Sequence, residues 1–158
     1  MNEPKKRIDG KALYAWRLAA WVSAAVYFVI VAALVVLTWK FGWPWWIAAA
    51  AAGAAILAAI IEIMILPRLH YEQWRYEILE EEIELRHGIF IRKRTTIPML
   101  RIQHVDTKQG PFLRKYGLAT VSFATAAGSH EIPALTQQDA ESVRNQIAAL
   151  ARVSDEEL

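Results

Sequence analysis

The chain contains no cysteine, which removes disulfide scaffolds, thiolate nucleophiles and Cys-ligated zinc or iron–sulfur sites. Charge is scarce in one long stretch: from Leu18 to Leu66 the only ionised side chains are Lys40 and Glu62. Residues 67–158, by contrast, carry 12 Lys and Arg against 13 Asp and Glu. The overall 55% hydrophobic content and net charge of +2 therefore average two unlike materials, one suited to lipid and one to water. Signals of catalysis are also missing. Gly110 and Gly117 bracket a proline and apolar residues rather than forming a phosphate loop, and Ser122 and Ser129 lack a nucleophile-elbow context. His70, His87, His104 and His130 occur singly, without the i, i+4 pairing of a helical zinc site. Glu80, Glu81, Glu82 and Glu84 crowd one turn, where mutual repulsion favours solvent over a tuned acid and base. The expectation is a chain that is not an enzyme and needs no metal and no cofactor.

What is present begins with two apolar runs, 18–39 and 45–66, each 22 residues long. At about 1.5 Å per residue each covers the roughly 30 Å hydrocarbon core of a bilayer. Only Lys40, Phe41, Gly42, Trp43 and Pro44 separate them, so the chain reverses at once and the spans form an antiparallel hairpin. Lys5, Lys6, Arg7, Lys11 and Arg17 flank one end and Arg68 and Arg75 the other, while the turn holds Lys40 alone. The positive-inside rule then places both termini in the cytoplasm of a multi-pass plasma-membrane protein. Trp16, Trp21, Trp39, Trp43, Trp45 and Trp46 lie at or near span ends, where indole rings anchor in the headgroup layer. A cleaved signal peptide is disfavoured, because the first run exceeds the 7–15 residue core of such peptides and a second span follows. Ala49 and Gly53 allow close approach of the second helix to the first or, as a weaker reading, a seam between two copies.

Glu62 is the one ionisable side chain inside a span, and such a group is a functional candidate by default. Counting residues in the hairpin sets Glu62 level with Val22 and Ser23 and one turn from Arg17, so Ser23 or a snorkelling Arg17 is the expected partner. The competing expectation is a small transporter or channel accessory subunit centred on Glu62. Against it, two helices with one carboxylate do not line a translocation path of the usual kind.

Beyond Arg68 the pattern changes to alternation. Trp74, Tyr76 and Ile78, then Ile83 and Leu85, then a run from Ile89 to Ile97 ended by Pro98, read as half-buried strands. Further strands are expected over 102–109, over 118–125 and near 130–132, with one helical turn inside the loop 110–117. Thr136 is a helix-cap candidate with Asp139 three residues on, and Ala140, Val143, Ile147 and Leu150 follow at helical spacing. The domains predicted are a cytoplasmic N-terminal tail at 1–17, the hairpin at 18–66, a folded domain at 70–152 and a frayed acidic tail at 153–158. The folded part is a small α+β domain, a bent antiparallel sheet capped by a C-terminal helix.

The segments Arg75-Tyr76-Glu77-Ile78, Glu84 to Phe90, Thr96 to Val105 and Gln109 to Val121 resemble the bacterial PH-like domain of the YdbS-like membrane proteins. In that family two transmembrane helices typically precede a cytoplasmic PH-like domain. The resemblance covers nearly the whole chain and implies architecture and location, with no catalytic activity to carry over. A lipid-headgroup role is fold-level analogy.

From Arg86 to Lys115 eight cations face Asp106 alone. Arg92, Lys93 and Arg94, joined by Arg114 and Lys115, are the candidates for anionic lipid headgroups, each cation near a charged surface contributing on the order of 1 kcal/mol. The plainer reading is a solvated strand edge whose cations pair with the neighbouring glutamates and prevent mispairing. The soluble half is close to neutral and carries no nucleic-acid signature, so no nucleic acid is expected. The expected partners are membrane lipids and a membrane protein such as a longer PH-like relative, met through the sheet edge or the loop Ile97-Pro98-Met99-Leu100. A homo-oligomer is compatible with the same surfaces.

Overall fold

The structure, a computed structural model, describes residues 4–156. The first three residues of the expected N-terminal tail and the last two of the acidic tail lie outside them. The chain divides into a helical unit, Trp16–Arg68, and a sheet unit made from the segment up to Ala15 and the chain from Leu69 onward.

The helical unit is built on α1, Ala12–Phe41, and α2, Trp45–Gln73, each with a stretch long and apolar enough to cross a membrane. α1 ends where Gly42 adopts φ +65°, a left-handed turn that glycine enters without a Cβ penalty. Pro44, which cannot donate a backbone hydrogen bond, precedes the first residue of α2. From Trp45 to Ile60 no side chain of α2 is buried, and Trp21, Phe28, Val29, Trp39, Trp45 and Ile56 are all more than half exposed. A soluble helix hides one apolar stripe; these helices are apolar all round, as lipid requires. Between them lies an apolar groove of about 350 Å³, lined by Tyr27, Phe28 and Val31 on α1 and by Ala52, Ala55 and Ala59 on α2.

The sheet unit holds seven strands among the described residues. β1 (Lys6–Arg7), β2 (Arg75–Ile78), β3 (Glu82–His87) and β4 (Lys93–Pro98) form one antiparallel sheet in that order. β5 (Ile102–Lys108), β6 (Leu118–Thr125) and β7 (Gly128–Thr136) form the other. Alternation does what period two demands: Tyr76, Ile83, Leu85 and Ile97 turn inward and are almost fully buried. Phe123, Val121, Ile132 and Leu135 do the same from the second sheet. The C-terminal helix, Gln137–Glu156, begins where the Asp139 amide donates to Thr136 Oγ1 at 3.1 Å. It covers the core with Ala140, Val143 and Ile147, touching β5, β6, β7 and the 3₁₀ turn Met99–Arg101. Burying a side chain of the size of Ile147 or Phe123 contributes about 1.5–3 kcal/mol.

Three features differ from the sequence expectations. The N-terminal segment is not a tail: Lys6 and Arg7 pair with Tyr76 and Arg75, Ile8 is buried, and the Asp9 amide donates to the Ala134 carbonyl at 3.0 Å. Ala134 sits at φ 53° beside a register shift in the β6–β7 ladder, a bulge that turns its carbonyl out of the ladder for that bond. The run from Ile89 to Ile97 is not one strand; β4 begins at Lys93, and Gly88 to Arg92 form a loop. The C-terminal helix continues to Glu156, past the expected fraying after Arg152.

Candidate functional site

Four places gather the groups expected to carry function. The first is the β3–β4 hairpin. Gly88 has φ +119°, and a Cβ there would run into the Ile91 carbonyl oxygen, so the loop closes only around glycine. The closure lifts Phe90 and Ile91 to the tip, 93% and 83% exposed. Arg92, Lys93 and Arg94 follow directly, all on the exposed side. Arg94 Nη2 donates to both carboxylate oxygens of Glu84, at 2.6 and 2.7 Å. The pair is asymmetric in burial, with the Glu84 side chain 11% and the Arg94 side chain 34% accessible, so Glu84 depends on the partner more than Arg94 does. Arg114 and Lys115 stand elsewhere, exposed on the short helix Pro111–Lys115 between β5 and β6. Neither lines the hollows around Arg92.

The second place is the edge of β5. This strand pairs with β6 on one side, leaving its other rim of backbone groups outside the sheet. Beside it runs a groove of about 520 Å³ lined by Leu100, Ile102 and Val105 and by Ala148, Ala151 and Arg152 of the C-terminal helix. Of the loop proposed as a contact from the sequence, Leu100 is half exposed, whereas Ile97 and Met99 are buried in the core.

The third is the intramembrane carboxylate. Glu62 lies in a π-helical turn, Ile61–Ile65, a local widening often found at functional positions. The Tyr27 hydroxyl donates to Glu62 Oε1 at 2.6 Å. Ser23, one turn nearer the membrane surface, instead donates to the Ala19 carbonyl of its own helix at 3.5 Å, and Arg17 Nε is buried with no hydrogen-bond partner among the described residues. Tyr27 escaped the sequence reading because residue counting compares Cα heights, and a phenol reaches about one turn along the helix surface.

The fourth is a histidine and aromatic cluster at the start of the sheet unit. Trp74 Nε1 donates to His70 Nε2 at 3.1 Å, and the Trp74 ring stacks on His87 with centroids 5.0 Å apart. His87 is held below the usual imidazole range, by burial first and then by the charges of Lys93 and His130. His104 pairs with Asp106 at 2.7 Å on an exposed strand face. Among the described residues no three His, Asp or Glu side chains converge as metal ligands.

Two antiparallel sheets closed by a C-terminal helix, in a chain that also carries an apolar hairpin, fit one family closely. The family model described as "Bacterial PH domain" matches residues 14–151. The chain belongs to the bacterial PH domain family. Within it, the chain is similar to "UPF0699 transmembrane protein YdbS" of Bacillus subtilis (strain 168), at 44% identity over 157 residues covering 99% of each protein. No solved structure matches the chain. The bacterial PH domain family and this relative indicate a transmembrane protein and no catalytic family.

Proposed function

We propose that the protein is a non-catalytic binding module, anchored by its hairpin with both termini cytoplasmic, that recruits a membrane protein partner to the cytoplasmic face. The observation that carries this reading is the open edge of β5 beside the groove under the C-terminal helix. An extended partner segment adds as a further strand there, its backbone bonding to β5 and its alternate side chains entering a groove lined by Leu100, Ile102, Val105 and Ala148. A second copy or a longer relative with similar domains supplies such a segment. The test is photo-crosslinking from Gln103, on the groove wall, with the full chain in native membranes. Recovery of a discrete protein adduct, lost when Val105 is changed to Lys, is the expected result; adducts to lipid alone overturn the partner reading.

A second contact has its own observation. An apolar tip of Phe90 and Ile91 followed by Arg92, Lys93 and Arg94 matches what an anionic bilayer surface selects, apolar groups for the acyl boundary and cations for the headgroups. Arg114 and Lys115 add exposed charge on the short helix Pro111–Lys115 between β5 and β6. The hairpin tether keeps the local lipid concentration high, so modest contacts suffice. A fluorophore on Phe90→Cys, in a chain otherwise free of cysteine, reports the contact. Quenching by nitroxide lipids in anionic vesicles, abolished in zwitterionic ones, is expected; equal quenching in both contradicts a headgroup role for the cations.

A further inference from the structure

The apolar groove between α1 and α2, of about 350 Å³, falls in the size range of small-molecule sites. Along α2 its wall runs from Ala52 through Ala55 to Ala59, small side chains spread over about 10 Å of helix. Ala24, Tyr27 and Val31 of α1 stand across from them. The polar groups gather at one end. Ala59 comes one turn before Glu62, and the Tyr27 hydroxyl, on the groove wall, donates to Glu62 Oε1 at 2.6 Å. Both residues are half-buried, so the pair is open to an occupant of the groove. The opposite end, at Val31 and Ala52, is apolar and points toward the Gly42 turn.

In lipid an apolar groove selects nothing by itself, because acyl chains are as apolar as its walls. Selection has to come from the polar end. A carboxylate offers about four lone-pair sites; among the described residues Glu62 receives one hydrogen bond, from Tyr27, and forms no ion pair. The cations of the span ends stand past it. Arg68 follows six residues on, about 9 Å along the helix. Arg17 lies one turn nearer the water by residue counting, and its buried Nε has no hydrogen-bond partner among the described residues. Glu62 also sits in the π-helical turn Ile61–Ile65, a widening that recurs at functional positions. A carboxylate with open acceptor sites in hydrocarbon calls for a cation.

We propose that the groove binds a long-chain amphiphile with a small cationic head, of the alkylammonium class. The ammonium rests on Glu62 beside the Tyr27 hydroxyl, and the chain lies along Ala59, Ala55 and Ala52. This is the orientation of a lipid in the leaflet nearest Glu62, with the head toward the end of the span and the chain toward its middle. A transmembrane helix has no such head-to-tail polarity, which favours an amphiphile over a partner helix as the occupant. The site lies within the hairpin and is independent of the β5 edge and of the Phe90 and Ile91 tip.

The experiment uses the full chain in a neutral detergent, titrated separately with hexadecylamine, hexadecanol and hexadecanoate, with bound ligand counted by native mass spectrometry. The amine is expected to bind at least about ten-fold more tightly than the alcohol, the scale of one charge-assisted hydrogen bond, and the carboxylate more weakly than either. Glu62→Gln, which keeps an acceptor for Tyr27, is expected to bring the amine down to the affinity of the alcohol. Ala55→Phe fills the groove and is expected to weaken amine and alcohol alike, whereas Ala50→Leu, at an exposed position of α2 outside the groove, is expected to change nothing. An unchanged helical circular dichroism signal shows that each variant folds. Arg17→Gln is expected to leave amine binding unaltered; a rise of about ten-fold or more would mean that Arg17 already occupies the carboxylate, and overturns the proposal. Equal binding of amine and alcohol, or undiminished amine binding by Glu62→Gln, overturns it too. Failure of every amphiphile to bind overturns it as well, and disulfide-linked dimers of Ala55→Cys that vanish with Glu62→Gln would then give the groove to a second copy of the chain.

Discussion

The helical unit and the sheet unit face the same requirement, partners for buried polar groups, under opposite solvents; among the described residues of the hairpin Glu62 has one, whereas the buried Nε of Arg17 does not. In the hairpin, backbone groups bond within each helix and side chains face lipid, so its single carboxylate requires a dedicated donor and receives it from Tyr27. In the sheet unit polar side chains are plentiful and water is at hand, so individual ion pairs matter less and the surface pattern becomes the informative quantity. The difference teaches where to look. A lone polar group in the hairpin is held by a side chain of the facing helix, while the row of like charges in the sheet unit, Arg7, Arg75, Arg86 and Arg94, is set by strand register.

Breaking the core should separate the two units most sharply. Phe123 is 1% exposed at the centre of the second sheet, and Phe123→Ala is expected to cost about 3–5 kcal/mol. Circular dichroism melts in detergent should lose the sheet transition early while the helical signal of α1 and α2 persists. Gly88→Ala comes next: the Ile91 carbonyl blocks the new methyl group, with an expected cost of about 1–3 kcal/mol. Hydrogen exchange should show faster exchange in the β3–β4 hairpin and no change in the helices. Glu84→Gln removes the carboxylate that Arg94 holds; with Arg94 one-third exposed to water, a loss of about 1–2 kcal/mol is expected by urea titration. In the hairpin the matching change, Tyr27→Phe, should cost only about 0.6 kcal/mol, the average for a hydrogen bond between membrane helices, read by steric trapping in bicelles.

A further contrast is a slope with pH. His87 is held below the ordinary imidazole value of 6.5, so below that value the unfolded chain binds a proton more readily than the folded one. Stability of the sheet unit should therefore be complete above about pH 6.5 and fall as the pH drops through the range down to the depressed native value. Urea titrations across that range check the direction, and His87→Phe, which keeps a ring against Trp74, should flatten the slope.

Much of this architecture was legible in the residues. The spans stand out because lipid excludes charge over a length no water-soluble helix imitates, and the C-terminal helix announces itself through Thr136 and the spacing of Ala140, Val143 and Ile147. β1 did not, because two residues carry no period and the strand exists only by pairing with β2, distant in sequence. Ile89 to Ile91 read as strand because apolar β-branched residues favour strands, whereas the φ of Gly88 forces a loop there. Among the candidate site residues, Arg92, Lys93 and Arg94 were visible as a charge run. The alignment of Arg94 with Arg7, Arg75 and Arg86 depends on register, which one sequence does not print.

We propose that the sheet unit and both chain ends share the cytoplasmic face, with the Gly42 turn opposite. Because the chain has no cysteine, single replacements Gly42→Cys and Ser129→Cys can be probed in intact cells with a membrane-impermeant maleimide. Labelling of the Gly42 variant in intact cells, and of the Ser129 variant only after permeabilisation, is predicted; labelling of the Ser129 variant in intact cells would contradict the account.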